Sequence, residues 1–495
     1  MKPPNILRRP LGLGLCLLLG FSTAATVRAD QDAVETSSLS TAPEPALIET
    51  LSTDDLPGML ERRLIRVLVS FNLTEFFVDD DLHPRGFEFE LMQKYAAFLN
   101  EELGKGEIAA TLAFIPVPFD RLIPDLLAGK GDIAAALLTV TSERSEQVAF
   151  TEPYLENISE ILVSNADAPP VARPEDLAGR RVHVLRGSSH VQHLNTLNTD
   201  LVSAGLKPVQ VSEVDEHLST EDILNLLNVG VFQHTVADEP VAALWQGVFA
   251  SIRLDSSVPI NQGGNIAWAV RPDNPELLES LNRFVRDAKG GTLLGNVLFE
   301  RYFENEQWVS NPLDPDRQAR LDEAKLLLQE YGDRYGFDWV ALLAQAYQES
   351  QLDHSKRSPA GAVGIMQIRP STASDKNVQI ENIDQLENNI HAGVKYLAFL
   401  RDRYFSEPSI DPNTRMDFTF AAYNAGPARV QKLRDQAKAE GLDPNQWFGH
   451  VELVARKQVG RETVQYVRNI HKYYVAYSLM FEQQANRTTA IEQVQ

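Results

Sequence analysis

The feature that most constrains this chain is a change of pattern past its middle. From about residue 64 to 303, short β-rich runs alternate with amphipathic stretches; from about 316 onward the pattern is helical almost to the end. Alternation builds an α/β unit, while apolar stripes at helical spacing build a helical one, so one layered core does not serve both. Strands are expected at 64–69, 131–137, 181–185 and 266–270, and a helix from about 87 to 99. In the second half Asp338 stands where a helix cap would, ahead of a stripe of Val340, Leu343, Ala344 and Tyr347. Further stripes lie at 392–400, 418–423 and 466–480. The stretch between the halves, with Pro312 and Pro315, has little periodicity and reads as a connector.

Length agrees with this division, because 495 residues exceed what one hydrophobic core ordinarily organises. With 43% hydrophobic and 23% charged residues the body is that of a folded, water-soluble protein. No internal repeat of fixed period is present. A net charge of −22, without a basic patch interleaved with aromatics, argues against nucleic acid as a partner.

The first residues read as an export signal. Lys2, Arg8 and Arg9 precede an apolar run over 11–21, and Val27-Arg28-Ala29 offers a cleavage position after Ala29. The run is shorter than the roughly 20 residues of a membrane-spanning helix and is interrupted by Gly12, Gly14 and Gly20. Cys16 follows Leu15 rather than the small residue of a lipoprotein signal, so lipidation is not expected, and a mature chain without cysteine forms no disulfide. No later stretch is apolar enough to span a bilayer, which leaves peripheral attachment. The expected organisation is a signal peptide at 1–29, a disordered linker at 30–56 rich in Ser, Thr, Pro and acids, an α/β unit at 57–305, a connector at 306–319, a helical unit at 320–484 and a flexible tail at 485–495.

The helix over 339–347 leads into Tyr347-Gln348-Glu349-Ser350. A carboxylate beside a buried stripe is partly desolvated, which raises its pKa and keeps a proton available for a leaving group. Downstream come Ser358-Pro359-Ala360-Gly361-Ala362-Val363-Gly364-Ile365-Met366-Gln367, Ala422-Tyr423-Asn424-Ala425-Gly426-Pro427 and Glu462-Thr463-Val464-Gln465-Tyr466-Val467. Four motifs in this order resemble the soluble-lytic-transglycosylase family, whose domain has a goose-type lysozyme fold. The resemblance implies a lyase that cleaves the bond between N-acetylmuramate and N-acetylglucosamine in peptidoglycan glycan strands. It places Glu349 as the single catalytic acid/base and Ser350, Ser358, Met366, Gln367, Tyr423, Asn424 and Tyr466 around the substrate, with core packing the alternative for Met366 and Tyr466. Glu349 would protonate the glycosidic oxygen and then take the proton of the muramate 6-hydroxyl, leaving a 1,6-anhydro sugar. Spacing alone does not separate this outcome from hydrolysis by a muramidase-type enzyme. Asp353, one turn past Glu349, projects from the same helix face and so is poorly placed as a second carboxylate across a sugar ring. It reads as structural or capping. His354, His391, His450 and His471 lack metal-ligand spacing, so no metal and no cofactor is expected.

In the first half, the segment Ala128-Gly129-Lys130-Gly131-Asp132-Ile133-Ala134 and the run from Thr139 through Arg144 to Tyr154 resemble the type 3 extracellular solute-binding proteins. That family has two α/β lobes closing on an amino acid. The resemblance assigns Arg144 to a ligand α-carboxylate, Asp238 to its α-amino group, Phe119 to an aromatic wall, and Ser188 and Ser189 to a second-lobe loop. The lobes are expected at 57–157 with 258–305, and between. Two departures stand out: Thr74-Glu75-Phe76-Phe77 follows the first strand in place of a proline-rich aromatic turn, and His190 occupies a position that often carries an acid or amide. The fold class is therefore a two-lobed periplasmic-binding-protein-like domain followed by an all-α-dominated lysozyme-like domain. The expected setting is the periplasm, with a peripheral position at the outer membrane, and the expected partners are glycan strands and an amino acid or muropeptide ligand. A wall-anchored binding protein without catalysis is the rival from a different class; Glu349 alongside Tyr423 and Tyr466 counts against it.

Overall fold

The computed structural model of the chain describes residues 50–78, 83–104, 110–305, 315–458 and 461–492. The export signal, residues 30–49 of the expected linker, 306–314 of the expected connector and the last three residues lie outside the described residues.

The N-terminal half is built on two five-stranded sheets. Among its elements, in order, are β1 (Leu64–Val69), α1 (Phe87–Glu102), β2 (Thr111–Pro116), β3 (Ile133–Ala134), β4 (Ala149–Phe150), β5 (Leu155–Asn165), β6 (Arg181–Val184), α2 (Ser189–Ser203), β7 (Gln210–Glu213), α3 (Thr220–Asn228), β8 (His234–Asp238), β9 (Ile252–Ile266) and β10 (Ala269–Val270). The first sheet runs β2-β1-β3-β10-β4 and the second β9-β5-β8-β6-β7. The chain thus leaves the first sheet through β5 and returns through β9. These two long strands pair antiparallel from Ile252 opposite Asn165 to Ile266 opposite Leu155, with register slips after Asp255. Two continuous strands with bulges, crossing between two sheets, form a hinge.

Burial explains why β1 is a nearly unbroken apolar run: all six of its residues are buried. Its one charge, Arg66, survives there because Nη2 meets Asp132 Oδ1 at 2.8 Å, while Arg62 takes the other carboxylate oxygen at 2.7 Å. Burial works against ionisation of Asp132, but the hydrogen bonds and charge of Arg66, with that of Arg62, outweigh it and hold the carboxyl below its usual range. A single strand expected at 266–270 is instead two pieces. Ile266 ends β9 in the second sheet, Ala267 and Trp268 cross over, and Ala269 pairs with Ala134 in the first. The crossing is fixed because buried Trp268 donates Nε1–H to Glu88 Oε2 at 2.8 Å. At 131–137 the extended strand shrinks to Ile133 and Ala134, the pair that meets Val67 and Leu68 of β1.

The C-terminal half is helical: α4 (Pro315–Tyr335), α5 (Trp339–Ser350), α6 (Leu386–Tyr404), α7 (Pro412–Ala425), α8 (Pro427–Ala439) and α9 (Arg461–Glu492). The striped segments of the sequence fall inside these helices. Helix α5 is buried on nearly every side, and α4 and α9 pack on it while α6 and α7 pack on one another. Two boundaries differ from expectation. Helix α4 starts at Pro315, inside the anticipated connector, as suits a proline in a first helical turn. Helix α9 runs to Glu492, through much of the anticipated tail, and 485–492 contains neither Gly nor Pro to stop it. Among the described residues no helix is long and apolar enough to cross a membrane.

Candidate active site and ligand cleft

Helix α5 delivers Glu349. At its start Asp338 Oδ1 accepts from the Val340 amide at 2.9 Å, and at its end Gln351 and Leu352 both take left-handed backbone, turning the chain sharply. Ser350, buried, ties this end to the following loop by donating to Ile365 O at 2.9 Å. In that loop Gly364 has φ 75°, and a Cβ there would lie 2.6 Å from Asn389 Nδ2 and 2.7 Å from His354 Nδ1. Only glycine fits. Asn389, fully buried on α6, organises the loop: it accepts from the Met366 amide at 2.9 Å and donates to Val363 O and Ile383 O.

Around the carboxyl of Glu349 the residues form a short relay. Tyr466 of α9 donates its hydroxyl to Glu349 Oε1 at 2.5 Å, and Gln345 Nε2, one turn before Glu349, donates to the Tyr466 oxygen at 3.1 Å. With its oxygen already accepting from Gln345, Tyr466 is oriented to give its own proton to Oε1. Oε2 is left to carry the acidic proton. Burial pushes the Glu349 carboxyl up to about 8, against the smaller lowering effects of the Tyr466 hydrogen bond and the Lys356 charge. Burial, then the Glu349 charge, also keeps the phenols of Tyr423 and Tyr466 protonated. No carboxylate is among the groups that move Glu349. Asp353 is occupied elsewhere, accepting from the Ser355 amide at 2.9 Å and the Ser355 hydroxyl at 2.6 Å.

The other expected site residues divide into those joined to this relay and those set apart. Tyr423 donates to Met366 O at 2.8 Å, and Met366 itself is fully buried against Gly393, where it serves as core packing. Asn424 accepts from Thr463 Oγ1 at 2.7 Å, which pins α7 to the start of α9. Ser358 and Gln367 hold the intervening loop, Ser358 Oγ by accepting from Ala362 N and Gln367 Nε2 by donating to Gly364 O. Gln345 and Asn389 were not foreseen. The signal for Gln345 was an amide inside an otherwise apolar helix stripe. His354, His391 and His450 bond to Asp384 O, Tyr335 and the Asp443 amide, and His471 pairs with Asp417, none of them in a metal-donor grouping.

In the N-terminal half, all five expected ligand residues line one cleft: Phe119, Arg144, Ser188, Ser189 and Asp238. Thr141 caps the turn that presents Arg144. The guanidinium is buried, sits 5.9 Å from the Phe119 ring centroid, and donates to Thr139 O at 2.8 Å and Gly187 O at 3.0 Å. Ser188 Oγ donates to Leu185 O and Ser189 Oγ to Glu160 Oε1 at 2.6 Å. His190 Nε2 is 3.4 Å from Asp238 Oδ1. Burial opposes protonation of His190, but the Glu160 charge and the hydrogen bond and charge of Asp238 prevail and raise its pKa. Glu160, His190 and Asp238 place donor atoms within 4.8 Å of one another, a metal-donor grouping among the described residues. His190 already takes one oxygen of Asp238 in that grouping.

The two halves meet through α9. Its Lys472 Nζ lies 3.5 Å from Asp222 Oδ1 on α3, and Arg468 Nη1 donates to Pro116 O at 3.5 Å.

Family patterns match both halves. The pattern of the Bacterial extracellular solute-binding proteins, family 3, matches residues 65–305, and that of the Transglycosylase SLT domain matches 327–445. An ancestral arginine-binding protein bound to arginine is 27% identical, with a TM-score of 0.40, covering 48% of this chain and 98% of its own. The membrane-bound lytic murein transglycosylase F of Pseudomonas fluorescens is 30% identical over 444 residues, covering 85% of this chain and 86% of that protein. Its counterpart from Desulfosudis oleivorans is 31% identical over 429 residues, 83% of this chain and 89% of that protein. The first half is therefore a periplasmic-binding-protein-like domain and the second a helical, lysozyme-like lytic transglycosylase domain. With both domains in this order and relatives matched over most of their length, the chain belongs to the membrane-bound lytic murein transglycosylase F family.

Proposed function

We propose that Glu349 works alone as acid and then base, and that the product of cleavage is a 1,6-anhydro-N-acetylmuramate end. The observation that carries this is one carboxyl, raised to about 8 by burial, with its second oxygen free of the Tyr466 bond and no carboxylate among the groups acting on it. Protonated at neutral pH, Glu349 gives its proton to the glycosidic oxygen as the bond to the muramate anomeric carbon breaks. The resulting carboxylate, stabilised by the Tyr466 hydroxyl, takes the proton of the muramate 6-hydroxyl, whose oxygen closes on the same carbon. Glu349 ends as it began and no water is consumed. Most glycosidases place a second carboxylate as nucleophile or as base for a water. Here the sugar supplies the nucleophile.

The catalytic unit is assigned to 320–484 and the ligand unit to 57–305, the latter binding an amino acid or muropeptide by its α-carboxylate on Arg144 and its α-ammonium on Asp238. Supporting this, the Arg144 guanidinium is buried and donates to two carbonyl oxygens, with no direct ion pair to neutralise its charge among the described residues. A ligand alters turnover only if it binds two states of the whole protein unequally. The leader pattern and the relatives' names support a periplasmic protein held peripherally at the outer membrane, which fractionation of cells with and without high salt would test.

Two variants test the assignments separately. Glu349→Gln should lose glycan cleavage while still binding glycan strands, and near-normal turnover would remove the acid/base role. Arg144→Ala should keep basal turnover but lose any change in turnover that a wall-derived amino acid or peptide produces in the parent protein. An unchanged ligand response in that variant would end the sensing role and leave the N-terminal half as a scaffold.

A further inference from the structure

The ligand cleft holds more negative charge than a simple α-amino acid would satisfy. Besides Asp238, it is lined by Glu75 and Glu221, neither foreseen as a ligand residue. Glu75 belongs to the loop after β1. Its backbone is fixed there, since Glu75 N donates to Asn72 Oδ1 at 2.7 Å and its carbonyl accepts from Glu88 N at 3.1 Å. Glu221 sits in the first turn of α3, where Oε1 accepts from Thr74 Oγ1 at 2.6 Å and from Thr74 N at 3.2 Å. Both residues are more than nine-tenths buried, at 8% and 5% exposed, and the Oε2 of each has no hydrogen-bond partner. The basic groups of the cleft are engaged elsewhere: Arg144 with two carbonyls, His190 with Asp238. Lys472 of α9 makes its ion pair with Asp222 and feels the Glu221 charge only at longer range.

Two buried carboxyls with unmet oxygens in one cleft are unfavourable in the empty protein and are retained where a ligand brings the missing charge. A calcium or magnesium ion would demand six or more oxygens or a fixed octahedron. The cleft instead surrounds these acids with Ala136, Leu137 and Val241, an apolar lining suited to a methylene stem. An ammonium group has three donors on a compact charge, which matches unmet acceptors at the end of such a stem.

We propose that the cleft takes an α-amino acid whose side chain ends in a second amine, held by Arg144 on the α-carboxylate, Asp238 on the α-ammonium, and Glu75 with Glu221 on the side-chain ammonium. This rests on the ligand-binding reading given above and narrows it to a chemical class. Burial, with the charges of Glu221, Glu88 and Asp238, pushes the Glu75 carboxyl well up, and burial likewise raises Glu221. An ammonium brought beside these two carboxyls favours their ionised form and offsets that burial.

Calorimetry on the full chain with L-lysine, L-ornithine and L-norleucine, and separately with calcium chloride, decides the matter. Norleucine has the aliphatic stem without the second amine. A diamine is expected to bind at least about tenfold more tightly than norleucine, as loss of a charged partner predicts. Glu221→Gln and Glu75→Gln should erase most of that preference while leaving norleucine binding unchanged or tighter, and Arg144→Ala should weaken all three. Norleucine binding as tightly as both diamines would overturn the second-amine site and leave the amino-acid reading standing. Failure of every α-amino acid would overturn both. Calcium binding that Glu221→Gln abolishes would overturn the proposal in favour of a metal site. The lysine to norleucine ratio in the parent protein is decisive even if a variant folds poorly, which thermal melting would reveal.

Discussion

Glu349→Gln should make the protein more stable as well as inactive. In the folded protein the carboxyl titrates near 8, against an ordinary value of 4.5. Between those values the folded state binds a proton that the unfolded chain has released, so stability falls as pH rises through this window. Below about 4.5 both states are protonated and the site has no such cost. At pH 8 and above the cost reaches its full value, at most about 5 kcal/mol by the linkage between pKa and free energy. Glutamine keeps the shape and still offers an oxygen to Tyr466, but it does not ionise. Urea unfolding of parent and variant at pH 5, 6.5 and 8 should therefore show a gap that opens steadily toward alkaline pH. A constant gap, or a variant less stable at pH 8 than at pH 5 relative to the parent, would refute the burial argument for the acid.

Three further outcomes follow from the geometry. Tyr466→Phe removes a donor that favours the ionised carboxyl, so the alkaline limb of the activity profile, near 8 in the parent, should move up by about 1–2 pH units for a charge-assisted bond of about 1.5–3 kcal/mol, with lower kcat; a pH series on turnover would show a downward or absent shift if the bond played no such part. Gly364→Ala places a Cβ against Asn389 and His354 in left-handed backbone and should cost about 1–3 kcal/mol in urea unfolding while disordering the Met366 amide that Asn389 holds. Arg144→Ala should cost about 2–5 kcal/mol in calorimetric affinity for any α-amino acid ligand, and an unchanged affinity would exclude the carboxylate contact.

Much of this was legible in the sequence because its signals are local. The stripe ahead of Glu349, the glycine at 364 and the tyrosines at 423 and 466 occur in ordered motifs, and folding brings Tyr466 onto Glu349 as those motifs imply. Arg144, Phe119, Ser188, Ser189 and Asp238 come from distant segments yet share one cleft. What escaped the reading depends on long-range neighbours. Gln345 looks like any amide on a helix until Tyr466, 121 residues away, reaches its nitrogen. Asn389 gains its role only when α6 packs beneath the loop at 363–367. Glu75 lay within a noted departure from the solute-binding pattern, but its significance needed Glu221, which arrives from the other sheet's side of the hinge. Element ends were also hidden, as at 266–270, where the crossing is set by Trp268 reaching Glu88 rather than by propensity.

The claim that one carboxyl and the sugar's own hydroxyl complete the reaction is tested most directly by digesting purified glycan strands in water enriched in oxygen-18 and weighing the new muramate ends. Anhydro ends are expected, lighter by one water than reducing ends and free of the heavy isotope. Reducing ends carrying oxygen-18 as the main product would contradict it and identify a hydrolase.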